Sequence, residues 1–413
     1  MKYQNILILF VLLSFINNAE INDGHNLVLN NADSTIDGTK ISSNPTNGVS
    51  YQNEVLSITQ AGTYILSGTL NGQVLVSVNE KVTLVLKGVT ITARNTNAIL
   101  FERAYEIDQN NINPNSFNVN LDNVGAKLII ADGSENTVTG ANSQNHDGAI
   151  HTSVSLLIAG ESKGDGVLNV IGSGEGIETD KHLFIDGGVI RVVGQDDAIN
   201  ANLENSSIVY VKSGKLLING GLGQEGDGID CNGYIIIDGG EIISSAKAGM
   251  DSGLDSEHTR INGGIVFAVG SALDNASAES KQPTMNLIFS GNVAPSSVVT
   301  VKDVNGNEII SYCANTADFI SGSERKTFFA AIVSHPSFKN GATYHLFMDG
   351  TQLGFTGNQS GMGPGQGFPW GNPWGDNPGN PWGGDQGQNN GEIKTDFTLG
   401  GSATNFSGVQ KAM

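Results

Sequence analysis

The sequence predicts an all-β chain folded as a right-handed parallel β-helix, with a small C-terminal β unit and a low-complexity tail. The first observation behind this is a recurring phrase of a small residue, an apolar residue and a polar or acidic one. It reads Ala149-Ile150-His151, Gly176-Ile177-Glu178, Ala198-Ile199-Asn200, Gly228-Ile229-Asp230 and Gly249-Met250-Asp251. Its apolar centre recurs after 22 residues from Ile177 to Ile199 and after 21 from Ile229 to Met250, while the 27 and 30 residues of the other two intervals leave room for an insertion. About 21 residues with two or three short strands is one turn of a parallel β-helix, in which similar units stack. The second observation is glycine pairs at a near-constant offset. Gly187-Gly188 and Gly239-Gly240 follow Ile177 and Ile229 by 10 and 11 positions, and Gly263-Gly264 take the same role after Met250. Such a pair permits positive φ at a sharp strand-to-strand corner. The third is composition: 55 Gly against 10 Pro, with 15% charged and 7% aromatic residues, suits many tight corners joining short strands. A β-sandwich also has many short strands, but it would not hold one phrase at a fixed offset from a glycine pair.

Taken in order, residues 1–19 read as a secretory signal peptide: Lys2, an apolar run from Ile6 to Ile16, and a small residue at Ala19. That run is too short to span a bilayer comfortably, and no later segment is apolar enough to do so. Secretion follows as the expected location. Residues 54–290 hold the repeats, with strands expected at Val82–Leu86, Leu183–Ile185, Val189–Val193, Tyr234–Ile237 and Ile265–Val269. Residues 291–356 lack the phrase; Val298–Val304, Glu308–Ile310, Phe328–Val333 and Thr343–Met348 read as strands, with a hairpin turn at Asn305-Gly306. Residues 357–391 are rich in Gly, Pro, Asn and Gln around Trp370, Trp374 and Trp382, too poor in apolar surface to fold alone. Residues 392–413 carry no hydrophobic tail, and their role is unassigned, as is that of the Asn-rich insertion Gln109–Asn120.

The formal net charge of −20 argues against nucleic acid or an anionic membrane surface as partner. The acids are concentrated at the phrase: Glu175, Glu178, Asp196, Asp197, Asp227, Asp230, Asp251 and Asp255, with the amide Asn200, lie in it or beside it. Stacking would bring these oxygens together with no Cys or His cluster among them, a donor set that selects a hard cation such as Ca²⁺ over zinc. Plain turn chemistry explains isolated acids such as Asp186 and Asp238, but not acids on both sides of one apolar residue in successive repeats. Ile150, Ile177, Ile199, Ile229 and Met250 read as an inward apolar ladder, and His151 and His182 as surface or turn residues. Cys231 and Cys313 allow either one disulfide or two free thiols. No nucleophile elbow or triad is present. A lyase would need an unprotonated Arg or Lys base, and Lys181, Arg191, Lys212, Lys215, Lys247 and Arg260 lie in the repeats without a motif.

Several segments in order carry a resemblance to a known family. They are Ala61–Leu70, Val82–Leu86, Gly88–Thr92, Ala131–Thr137, the Asp-Gly-Ile phrases with their Gly-Gly corners, and Ser337–Tyr344. Over about Glu54–Gly350 the chain resembles the secreted carbohydrate-binding family with a calcium-loaded parallel β-helix known from clostridial cellulose degraders. The resemblance implies a pectate-lyase-like fold that binds acidic and cellulosic plant polysaccharides without cleaving them. It also implies that Glu175, Asp197 and Asp227, with Asp230 and Asp251, are cation ligands. Gly148 and Ala248 stand where outer repeats would carry the first acid, so fewer cation sites are expected. The expected function is therefore calcium-dependent polysaccharide binding. A pectate-type lyase and a structural or adhesive surface protein are the alternatives, the latter on the strength of the Gly/Pro/Trp segment.

Overall fold

The computed structural model describes residues 23–109, 112–114, 117–141, 146–223, 226–246, 251–313, 327–357 and 393–412. The expected signal peptide, residues 1–19, and nearly all of the Trp-containing segment lie outside the described residues, as do Met250, Lys247 and Ala248. The described chain is all β, with no α-helix among its elements.

The apolar centre of the phrase forms the expected column. Ile99, Ile150, Ile177, Ile199 and Ile229 pair in parallel register, and all are fully buried. Side chains alternate along each strand, so one column faces the core while the next residue faces away. Each buried Ile contributes about 1.5–3 kcal/mol of hydrophobic stabilisation. The glycine corners also form a column. Gly188, Gly214, Gly240 and Gly264 all have positive φ, and a Cβ on Gly214 would meet Gly187 and Gly188 of the preceding repeat. Glycine is required there both for φ and for the close backbone approach.

The expected right-handed parallel β-helix is not what these pairings build. Strand Val82–Thr92 pairs with both Ala126–Ile130 and Glu135–Gly140. Those two lead through Leu156–Gly160 and Val167–Gly172, and both of these pair with His182–Val193. The hydrogen bonds thus close a six-strand parallel barrel, with the other strands outside it. The physical reason lies at the glycine corners. Val82–Thr92 and His182–Val193 run unbroken through Gly88 and Gly187-Gly188, so each strand joins two ladders that the sequence pattern suggests are separate faces.

Both ends are finished by segments whose sequence showed no repeat. His25–Asn30 adds in parallel to Gly62–Asn71. At the other end Phe328–Ser334 pairs antiparallel with Ile265–Gly270 and with Thr284–Val293. The unassigned stretch 392–413 supplies Ala403–Lys411, which lies parallel to Thr284–Val293. Phe397, Leu399, Phe406 and Val409 share one core with Leu217, Ile243, Phe267 and Val269 of the repeats. The hairpin at Asn305-Gly306 forms as expected, with Gly306 at φ +84°. Cys231 and Cys313 form no disulfide, and burial pushes the Cys231 thiol up to about 11.

Candidate functional site

Two polar columns flank the apolar one. The first stands two residues before the apolar centre: Glu175, Asp197 and Asp227, continued by Ser252. The second stands directly after it and runs, in register, His151, Glu178, Asn200, Asp230 and Asp255. The register corrects one reading of the sequence. The partner of Asp230 is Asp255, so the phrase after Gly228-Ile229-Asp230 is Gly253-Leu254-Asp255, four residues beyond Gly249-Met250-Asp251. Leu254 is fully buried in the place assigned to Met250. Asp251 instead accepts the Gly226 backbone N–H at 3.2 Å.

The columns interlock diagonally. Glu175 Oε1 accepts a 2.6 Å hydrogen bond from Asn200 Nδ2, one repeat further on. Asp197 and Asp230 repel each other in the same relation, as do Asp227 and Asp255. The two aspartates of the first column also accept a backbone N–H from the next repeat: Asp227 N to Asp197 Oδ1 at 2.7 Å, and Ser252 N to Asp227 Oδ1 at 2.5 Å. Close approach makes this possible. Gly172, Gly194 and Gly220 lie against the carbonyl oxygens of Glu175, Asp197 and Asp227, where a Cβ would overlap them.

Burial, then neighbouring charge, raises the whole group. Glu175 is pushed up to about 9 by burial and by Glu178, despite the Asn200 hydrogen bond. Asp227 rises to about 8 by burial and the charges of Asp255, Asp197 and Asp251, against its Ser252 hydrogen bond. Asp197 rises to about 7 and Asp230 to about 6 for the same reasons, burial first. Asp255 is raised too, by burial and by Asp251. Asp196 is exposed, and its charge adds to the load on Asp197 and Asp230. Two like charges one strand spacing apart, about 4.8 Å, repel by about 3 kcal/mol at an effective dielectric near 20.

Glu175 Oε2 and Asn200 Oδ1 are buried acceptors with no hydrogen-bond partner, on residues only 6% and 9% exposed. Orphaned buried oxygens are costly and call for an explanation. Carboxylate and amide oxygens without nitrogen or sulfur donors fit a hard cation.

Glu178 stands apart from this group. Its Oε2 accepts from His151 Nδ1 at 2.8 Å and from the backbone N–H groups of Asp147 and Gly148 at 2.8 and 3.0 Å. Burial works to raise it, but the His151 hydrogen bond and charge outweigh burial and hold it below the usual range. His151 is fully buried, not a surface residue. Burial would lower it, yet hydrogen bonds to Asp180 and Glu178 raise it to about 9. His146 stacks on it at 3.7 Å, and ligand atoms of His146, His151 and Glu178 lie within 4.8 Å of one another. A protonated His151 has no lone pair to give a metal, so that trio suits a buried ion pair better than a coordination site.

His182 is also buried. Its Nδ1 accepts the Ile208 N–H at 3.1 Å, and its Nε2 lies 2.5 Å from Gln109 Oε1, which fits a neutral ring protonated at Nε2. Burial, then Lys181, lowers it to about 4. Its folded value lies below the unfolded one near 6.5. Its stabilisation is therefore present above pH 6.5 and lost as the pH falls towards 4, by about 3 kcal/mol. Denaturation midpoints of the wild type should accordingly drop further between pH 6.5 and 4 than those of His182→Gln. Parallel profiles would refute the assignment.

Asp274 was missed. Its carboxyl accepts the Ser256 N–H at 2.9 Å, and burial followed by Asp255 raises it to about 7. The signal was present: Ala272-Leu273-Asp274 repeats the small–apolar–acidic phrase. Three of the repeat-region cations are engaged with carboxylates outside the columns. Lys212 bonds Asp186 at 2.7 Å, Lys215 lies 3.7 Å from Glu241, and Arg260 pairs with Glu279.

No curated protein matches the chain. Among solved structures, the polysaccharide lyase-like protein from C. thermocellum, as a gadolinium derivative, matches at 23% sequence identity. That match has a TM-score of 0.41 and covers 57% of this chain and 90% of that one. Among the described residues no helix is long and apolar enough to cross a membrane. Residues 52–294, which span both polar columns and the glycine corners, match the family described as carbohydrate-binding domain-containing protein. The chain belongs to that carbohydrate-binding domain-containing family.

Proposed function

We propose that this is a secreted, non-catalytic polysaccharide-binding protein that takes acidic, pectin-like glycans through Ca²⁺ held on its acid columns. The observation that carries the proposal is the diagonal interlock: Glu175 with Asn200, Asp197 with Asp230, and Asp227 with Asp255. Asp251, Asp196 and Asp274 stand beside these pairs, while Glu178 is already neutralised by His151. When bound, the cation supplies positive charge that both protein and polymer carboxylates can share. Without such a bridge a chain of net charge −20 repels a polyuronate. Asp197 and Asp227 are held in place by backbone N–H groups of the next repeat and Glu175 by the Asn200 amide, so little ordering is needed on binding.

The non-catalytic reading is supported by three of the candidate bases. A lyase base must be unprotonated beside the bound uronate, whereas Lys212, Lys215 and Arg260 are ion-paired with carboxylates. The test is retention on insoluble pectin. With calcium the protein should be retained and the polymer recovered at full length; with EGTA it should elute. Retention that ignores EGTA would remove the cation bridge, and release of ultraviolet-absorbing unsaturated products would establish a lyase instead.

A further inference from the structure

We infer that Asn205 is the acceptor of an N-linked oligosaccharide, attached as the chain enters a secretory compartment that holds lipid-linked oligosaccharide. The inference rests on the secreted reading and not on the cation at the acid columns. Asn205-Ser206-Ser207 is an N-x-S acceptor sequence, as are Asn275-Ala276-Ser277 and Asn405-Phe406-Ser407. A fourth, Asn358-Gln359-Ser360, falls at the edge of the Trp-containing segment, outside the described residues. By sequence alone the three described sites are equivalent. Their places in the fold separate them, because a bulky, hydrated oligosaccharide has to stand on the surface.

Asn205 sits on an enlarged corner. The corner joining Ile177–Thr179 to His182–Val193 takes residues 180–181. The equivalent corner one repeat later, between Ile199–Ala201 and Ser207–Asn219, takes residues 202–206 and projects further from the stack. The Leu203 carbonyl closes it, accepting the Ser206 and Ser207 N–H groups at 3.1 and 2.8 Å. Glu204, Asn205 and Ser206 are exposed at its tip. Asn205 has φ +58°, a left-handed conformation that asparagine tolerates better than most residues. Asn405 is the opposite case. It lies inside strand Ala403–Lys411, in register with Asn286, and accepts a 2.7 Å hydrogen bond from the Asn286 amide, a residue only 1% exposed. Asn275 is half-buried between Leu273 and Ala276, both buried, and Ala276 bridges to Thr259 of the last repeat.

Transfer joins Asn205 Nδ2 to the anomeric carbon of the lipid-pyrophosphate-linked oligosaccharide. That C–N bond forms, the C–O bond to the pyrophosphate breaks, the lipid pyrophosphate leaves, and the amide gives one proton to solvent. In the folded chain the hydroxyl of Ser207, the third residue of the acceptor sequence, is fully buried and donates to the Ala201 carbonyl at 2.9 Å. Transfer therefore precedes closure of this corner. Asn202, which opens the corner, donates to Glu178 Oε1 at 3.2 Å, so the oligosaccharide is rooted at the border of the second polar column.

The test secretes the full chain from a glycosylating yeast, with its own residues 1–19 in one arm and the host's leader in their place in the other. Release by peptide-N-glycosidase in heavy-oxygen water converts each occupied asparagine to labelled aspartate, which peptide mass mapping reads. Asn205 should carry the label in most molecules and Asn405 in almost none. Asn205→Asp, which suits the same φ, should abolish that label and match the enzymatically released protein in unfolding temperature. Unlabelled Asn205 in the host-leader arm overturns the inference, as does label on Asn275 or Asn405 in its place. Label on Asn205 in the host-leader arm alone strikes the secreted reading of residues 1–19 and leaves the acceptor site standing.

Discussion

In EGTA the protein should lose stability steadily as the pH rises from 6.5 to 9, and millimolar calcium should flatten or reverse that slope. The folded values of Asp197, Asp227 and Glu175, about 7, 8 and 9, all lie above those of the free side chains. A group raised in this way contributes stability that is fully present below its unfolded value. That contribution is lost as the pH passes through the folded value. His151, raised to about 9, acts in the same direction across the same window. Each proton held only by the folded state contributes about 1.4 kcal/mol per pH unit, so several such groups together amount to several kcal/mol. His182 works the other way, but its window closes near pH 6.5, which leaves the upper range to the carboxylates. A cation at the diagonal pairs replaces those protons, so binding at pH 7 should release protons, and calorimetry in buffers of different ionisation enthalpy would count them. Denaturant midpoints at pH 6.5, 7.5 and 8.5 settle the first half. A flat profile in EGTA would show that the acid columns carry no such load.

Asp227→Asn should stabilise the metal-free protein at pH 8 by a few kcal/mol and remove most of the calcium-dependent stabilisation. Asparagine keeps a carbonyl oxygen to accept the Ser252 N–H and removes only the charge that Asp255, Asp197 and Asp251 oppose. The chain already uses this device, since Asn200 holds the column position that Asp230 holds one repeat later. A structural carboxylate would behave oppositely, because its loss would destabilise the protein with or without calcium. Retention on pectin should fall in parallel with calcium content. A variant that keeps the full calcium response would remove Asp227 from the ligand set.

The all-β class, the repeat and its apolar column were legible from residues 149–230 because they depend on short-range pattern. Ile150, Ile177, Ile199 and Ile229 declare an inward face by period alone, and glycine pairs declare corners because few other residues tolerate the φ required there. Most of the acid columns could be read in the same way, through Glu175, Asp197, Asp227 and Asp230. The reading slipped where an insertion met a second match to the phrase. Gly249-Met250-Asp251 and Gly253-Leu254-Asp255 are equally good strings, and only hydrogen bonding to Asp230 chooses the second. Ala272-Leu273-Asp274 went unread because it lies beyond the regular interval.

By itself, then, the sequence determined the class of structure, the spacing of the repeat and the concentration of acids beside one apolar column. These are consequences of side-chain chemistry acting over a few residues. The tertiary structure alone decided four things. Strands Val82–Thr92 and His182–Val193 pass through their corners and close a barrel. His151 neutralises Glu178, which leaves Glu175 with a bare oxygen. Ile112, Phe117 and Val119 of the insertion pack on the outer face, and Phe397, Leu399, Phe406 and Val409 complete the C-terminal core. Each depends on which distant segments share a buried space, and burial sets both the charge of a carboxyl group and the free energy of covering an apolar face.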